Sequence, residues 1–264
     1  MIRLSLSAVA DIVEGTLHDV PDPSVEVTAG VEFDSRKVTE GGLFLALPGE
    51  RVDGHDHAAG AVAAGAVAVL AARPVGVPAI VVEHEDGPGA AVLEALGKLA
   101  AASVAELAAG DLTVVGVTGS SGKTSTKDLI RAVLERAGTV VAPPGSFNNE
   151  LGHPWTVLRA DASTRFLVLE LSARGRGHIA ALAAIAPPRI GVELNVGTAH
   201  LGEFGSRENI AEAKSELVQA LPAAEAGGLA ILNADDPLVA AMASKTTARV
   251  VTYGSDTSAD IHAL

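Results

Sequence analysis

In the second half of the chain, apolar positions form short dense runs separated by longer stretches where they recur every three or four residues. Runs such as Leu112–Val117, Phe166–Leu169 and Ile190–Val196 have the length and β-branched content of strands buried on both faces. Between them, stretches such as Lys127–Ala137 and Ile210–Leu217 carry an apolar stripe beside charged positions, as helices covering a sheet do. The pattern predicts strands at 112–117, 139–142, 166–170, 189–195, 228–232 and 248–253. Helices are predicted at 123–137, 176–184, 207–220 and 237–243, with a short helical segment near 154–159. This alternation implies an α/β fold with a mostly parallel sheet covered on both faces, whose ligands sit at the carboxyl ends of the strands.

The first part of the chain is less regular. Ser7 is placed to cap a helix from Ala8 to Glu14, closed by Gly15. Strand-like runs follow near Val25–Val27, Val31–Phe33 and Leu43–Leu47, then a helix from Ala58 that stops at Gly65. Two strands, 66–71 and 79–82, flank the Pro74–Pro78 turn, and an Ala-rich helix fills 89–109. Gly110-Asp111 reads as the boundary between a small mixed α/β domain, 1–109, and the parallel-sheet domain, 110–264. A further β-type run begins at Asp260, which predicts a fragment, or a chain whose remainder is missing.

Composition narrows the function classes. With no cysteine there is neither a disulfide nor a thiolate nucleophile. A formal charge of −13 argues against nonspecific nucleic-acid binding. Met1–Ala10 lacks the apolar core of a signal peptide, and the apolar runs at 58–72 and 90–109 are broken by Gly or charged residues. The expectation is a soluble cytoplasmic protein without membrane insertion.

The chemistry centres on Gly116-Val117-Thr118-Gly119-Ser120-Ser121-Gly122-Lys123-Thr124-Ser125-Thr126, lying between a strand and a helix. Small residues let backbone N–H groups close on phosphate oxygens, and the helix start adds partial positive charge. Lys123 is placed to reach terminal phosphates and the Thr124 hydroxyl to ligate magnesium. The usual pattern would begin with glycine where Val117 stands, so the loop is of a particular sub-type. Glu170 closes an apolar strand beside it, suited to hold magnesium or, alternatively, to start a helix turn. His200 follows the run ending at Val196, and Lys214 lies in an amphipathic helix; on position alone a structural histidine and a solvated lysine are equally open readings. Ser146–Pro154 concentrates amides that suit either ligand recognition or a turn. Arg36, Lys37 and Arg51 bracket a strand of the first domain, as phosphate-binding groups or as a salt-bridged surface.

Taken together these segments resemble the Mur ligase family of peptidoglycan synthesis, across essentially the whole chain. Asp34-Ser35-Arg36, Gly41–Leu47 and Asp53-Gly54-His55 look like its uridine-nucleotide domain, and Thr118–Thr124 like its ATP loop. Ala199–Ser206 and Leu232–Asp236 match as well. Asn148–Pro154 is similar to a segment of the members that add D-alanyl-D-alanine to a UDP-N-acetylmuramoyl-tripeptide. The resemblance implies ATP bound by Gly119, Ser120, Ser121, Gly122, Lys123, Thr124 and Ser125, with Mg2+ held by Thr124, Glu170 and His200. It implies catalysis by Lys123, Glu170, His200 and Lys214, the last carbamylated in relatives, and precursor contacts from Ser35, Arg36, Glu50, Arg51, Asn148 and Asn149. It also implies a monomer and an acyl-phosphate route to an amide bond. Relatives usually have glycine near Ser172, and Glu170-Leu171-Ser172 leans slightly toward the sibling ligases. Family members continue into a third domain, so a sibling ligase and a noncatalytic precursor- and ATP-binding fragment are the alternatives.

Overall fold

The computed structural model describes residues 1–49, 52–198 and 201–262, so the expectations for Glu50, Arg51 and His200 lie outside the described residues. The chain divides into two units, Met1–Leu107 with Val157–Ala162, and Ala108–Thr156 with Ser163–Leu264.

In the first unit β1 (Leu4–Ser5) runs directly into α1 (Leu6–Val13). Ser5 rather than Ser7 caps this helix, its hydroxyl accepting from Ala8 N–H at 3.2 Å, while Ser7 lies within the first turn. At the other end Glu14 itself, not Gly15, takes the left-handed turn, at φ 56°. There follow β2 (Thr16–His18), β3 (Glu26–Val27), β4 (Val31–Glu32), β5 (Gly42–Leu45), α2 (Ala58–Ala63), β6 (Ala66–Ala71), β7 (Ala79–Val81) and α3 (Pro88–Ala108). Five strands form one sheet in the order β2-β7-β6-β5-β4, parallel except for β2 on β7. β1 and β3 pair separately and antiparallel. Phe44, Val69, Ala71 and Val81 pack with Ala58 and Ala61 of α2, a core of small aliphatic groups around one ring.

The second unit holds β8 (Thr113–Thr118), α4 (Lys123–Leu134), β9 (Val140–Val141), α5 (Gly152–Val157), β10 (Phe166–Glu170), α6 (His178–Ile185) and β11 (Ile190–Glu193). After them come α7 (Leu201–Phe204), α8 (Arg207–Gln219), β12 (Leu229–Asn233), α9 (Pro237–Ala240), β13 (Arg249–Gly254) and β14 (Ile261–His262). All pairings in the seven-stranded sheet, order β14-β13-β12-β11-β8-β10-β9, are parallel. The mixed α/β fold with its mostly parallel sheet is thus as the alternation predicts. The helix expected at 237–243 is shorter: α9 stops at Ala240 and passes into a 3-10 turn, Ala241–Lys245. α5 starts earlier than 154–159, because Asn149 Oδ1 accepts Gly152 N–H at 3.0 Å and so seeds the first turn.

Two glycines let α8 lie close against the sheet. Gly116 of β8 and Gly191 of β11 are register partners. A Cβ on the first would stand 2.9 Å from Leu217 Cδ1 and one on the second 3.3 Å from Leu217 Cγ. On the other face Val115 and Val117 pack with Ile130 and Leu134 of α4. β8 therefore sits between helices, and the connections leaving β8 and β11 run to opposite sides of the sheet. That divergence opens the crevice where such sheets bind ligands. No helix among the described residues is long and apolar enough to cross a membrane.

Candidate active site

The phosphate loop leaves β8 under tight steric control. A Cβ on Gly119 would lie 2.8 Å from Leu194 Cβ, and Gly122 takes φ +83° just ahead of α4. Two of the loop's backbone donors turn sideways: Ser120 N–H donates to Asn195 O and Ser121 N–H to Asn195 Oδ1, each at 3.0 Å. The amides opening α4 have no partner within the helix and remain to meet an anion. Lys123 curls back so that its Nζ donates to Gly119 O at 2.8 Å. Burial lowers its pKa, with the charge of Glu170 opposing. Thr124 is half-buried in the first helical turn and Ser125 is exposed.

Glu170 ends β10 directly beside β8, paired in register with Val117 and only 1 % exposed. Its Oε2 accepts from Asn148 Nδ2 at 3.2 Å, while Oε1 is buried with no hydrogen-bond partner. A buried carboxylate oxygen without a donor is costly, and a hard cation satisfies it. The open Glu170 oxygen thus suits an oxygen-preferring metal such as Mg2+. Among the described residues no group of three His, Asp or Glu gathers into a metal cluster.

Sequence reasoning missed a second acid here. Glu193 ends β11 opposite Thr118, fully buried, and neither of its carboxylate oxygens has a partner. Burial pushes its carboxyl well above the usual range, with the positive charge of Lys214 opposing. Lys214 projects from α8 and is itself buried, not the solvated lysine that its acidic neighbours suggest. Burial first, then the charge of Lys123, lowers its amine to about 8 against the pull of Glu193. An amine lowered in this way gives up its proton more readily than a solvated lysine.

The amide-rich loop divides its work. Asn148 faces the site: besides its bond to Glu170, its Oδ1 and its carbonyl each accept from Ser172 Oγ at 3.0 Å. Ser172 thereby steadies the asparagine that holds the acid. Asn149 instead caps α5 and also accepts His153 N–H through its carbonyl at 2.9 Å. Lys127, one helical turn beyond Lys123, pins the start of this loop; its Nζ donates to Pro143 O at 2.7 Å and Gly145 O at 3.3 Å, 1 % exposed. His153 is fully buried, and desolvation drives its pKa down to about 4, opposed by the backbone of Glu170 and Leu182.

In the first unit Arg36 stands 87 % exposed, gripped by Asp34 through two contacts of 2.8 Å. Those hydrogen bonds hold the Asp34 carboxyl down at about 2. Ser35 opens the short turn that Asp34 caps. His55 is buried, its Nδ1 2.6 Å from Asp53 Oδ1 and its Nε2 accepting Ala72 N–H at 3.0 Å. Thus Lys123, Thr124, Glu170, Lys214 and Asn148 belong to the strand-end site of the second unit, and Ser35 and Arg36 lie in the first.

Residues 117–264 match the Mur ligase middle domain, and residues 27–109 match the catalytic domain of the Mur ligase family. The chain belongs to the Mur ligase family. Its sequence is 62 % identical over its whole length to the UDP-N-acetylmuramoyl-tripeptide–D-alanyl-D-alanine ligase of Mycobacterium tuberculosis, covering 54 % of that protein. Against the ligase of the same name from Mycobacterium leprae it is 66 % identical over 95 % of this chain and 52 % of the relative. A crystal structure of MurF from Acinetobacter baumannii superposes with a TM-score of 0.83 at 32 % identity, covering 97 % of this chain and 54 % of that one. MurF ligase from Thermotoga maritima in complex with ADP aligns at a TM-score of 0.73 and 36 % identity, covering 87 % of this chain and 51 % of that one. The chain thus spans about half the length of the Mur ligases it matches.

Proposed function

We propose that this chain is the precursor- and ATP-binding part of a ligase that joins D-alanyl-D-alanine to the carboxylate of a UDP-N-acetylmuramoyl-tripeptide. The observation that carries this reading is 62–66 % identity to ligases of that name over 95–100 % of the chain. Residues 1–109 are assigned to the UDP-linked precursor, with Ser35 and Arg36 among its contacts, and 110–264 to ATP. Glu50, Arg51 and His200 complete the assignment from the family resemblance, and the protein is taken as a cytoplasmic monomer.

A carboxylate resists attack by an amine, so the reaction passes through an acyl phosphate made with ATP. The amine then attacks, and phosphate leaves from a tetrahedral adduct. The amides at the head of α4 bind and orient the phosphates, and Lys123 exchanges its bond to Gly119 O for a terminal phosphate oxygen. Mg2+, held by Thr124 and Glu170 with His200, would neutralise the charge that shifts during transfer. Asn148 keeps Glu170 aimed, and Ser172 keeps Asn148 in place. Lys214, whose lowered pKa exposes a neutral amine, is suited to take up CO2 as a carbamate, replacing a cation with an anionic oxygen donor beside the metal.

The test is ligation by the full-length protein carrying this sequence, with Lys123→Ala alongside. The variant is expected to lose about two to three orders of magnitude in rate. Near-normal ligation by it would sink the assignment, and preference for a single amino acid over D-alanyl-D-alanine would move the protein to a sibling activity.

A further inference from the structure

The phosphate loop is laced to the segment leaving β11 by contacts that the proposed reaction does not use. The Asn195 side chain pairs with the Ser121 backbone in both directions, Oδ1 accepting its N–H at 3.0 Å and Nδ2 donating to its carbonyl at 3.2 Å. The Asn195 carbonyl accepts Ser120 N–H at 3.0 Å, and Gly197 N–H donates to Ser120 Oγ at 2.9 Å. This segment is braced from its far side too. Val196 N–H donates to Asp236 Oδ2 at 2.7 Å, Arg207 Nη2 to Val196 O at 2.6 Å, and Asn233 Nδ2 to Leu194 O at 2.8 Å. Moving the segment would break several of these bonds together, so it is a fixed rail for the loop.

The rail decides which donors a phosphate can meet. A loop of this kind binds anions through N–H groups that point inward and lack other partners. Ser120 and Ser121 spend theirs on Asn195, and Thr126 N–H is taken by Gly122 O at 2.9 Å. What remains is the run of amides from Gly122 to Ser125 with the Lys123 amine. We propose that Asn195 is a positioning residue for nucleotide phosphates. Its side chain turns the Ser121 amide away, beside its carbonyl's hold on the Ser120 amide, and so fixes the register in which phosphates meet the head of α4. The proposal rests on the reading that this loop binds ATP. It also revises the roles of Ser120 and Ser121, whose backbones anchor the loop instead of holding phosphate.

The experiment uses the wild-type chain, Asn195→Ala and the isosteric Asn195→Asp, with ADP and inorganic pyrophosphate as probes in Mg2+. Dissociation constants come from calorimetry, and amide protection from hydrogen exchange. Asn195→Ala is expected to bind both probes about tenfold more weakly, from the loss of two hydrogen bonds. Faster exchange should be confined to residues 119–122. Asn195→Asp, which sets a carboxylate against the Ser121 carbonyl, should bind more weakly still. Affinities within twofold of wild type would overturn the proposal. So would a weakening accompanied by loss of protection throughout β8–β13, since that marks a prop of the fold. If the wild-type chain binds neither probe, the ATP reading itself fails, a result distinct from both.

Discussion

β10 and β11 flank β8, run parallel to it, and each delivers a buried glutamate to the same end of the sheet. Their surroundings differ. Glu170 has Asn148 on one oxygen and leaves the other buried and open. The Glu193 carboxylate has no hydrogen bond and meets the charge of Lys214. Strand position alone therefore does not set the role of an acid. A single amide donor leaves Glu170 fit to ligate a cation, whereas unrelieved burial drives Glu193 toward its neutral form.

Exchanging each acid for its amide is the strongest way to break this comparison. In the full-length protein Glu170→Gln is expected to slow ligation by about 10²–10³-fold, and Glu193→Gln by less than about tenfold, read as initial rates of ADP formation. Equal losses would mean that both acids serve the same cation.

The next effect is on stability, with opposite signs at neighbouring sites. His153 has a folded pKa of about 4, below its ordinary 6.5, so the unfolded chain binds more protons between those values. Stability is then lost as pH falls from 6.5 toward 4, by about 2 kcal/mol between pH 7 and pH 5, and His153→Leu should abolish that slope in urea titrations. Glu193 works the other way. Its folded pKa lies above 4.5, so its contribution is full below that value and lost as pH rises. Glu193→Gln should therefore gain in stability on wild type as pH rises from 5 to 8, with Lys214 the charged neighbour of Glu193 and Tyr253 close by.

The smallest effect belongs to the first unit, whose charged pair faces water. Arg36→Ala should move the melting temperature by less than about 2 °C, yet raise the Asp34 pKa from about 2 toward the ordinary aspartate value in an NMR titration. A larger thermal loss would show that Arg36 supports the fold as well as facing solvent.

Elements with long apolar runs or strong helical stripes were legible in the sequence, because burial on both faces leaves a dense signal. β1 and β2 were not, since two or three residues, at best half-buried, carry too little pattern. Glu193 hid inside the run Ile190–Val196; the available signal was a carboxylate breaking an apolar strand, but only register shows that it reaches the same edge as Glu170. Lys127 stood out only as the start of a helical stripe, and its burial comes with two carbonyls sixteen and eighteen residues on. Asn195 was placed at the end of a predicted strand, and its bonds to Ser120 and Ser121 span more than seventy positions. Distance along the chain, more than residue type, separates what could be read from what could not.

The return of Val157–Ala162 to the first unit has a consequence for biosynthesis. Val157, Leu158 and Ala160 are almost wholly buried, yet they follow β8, α4, β9 and most of α5 in sequence. A ribosome must make the phosphate loop and its helix before the last apolar pieces of the first unit exist. The nascent N-terminal half waits with part of its interior unfilled until residue 162 emerges, so vectorial synthesis ties the maturation of the two units together.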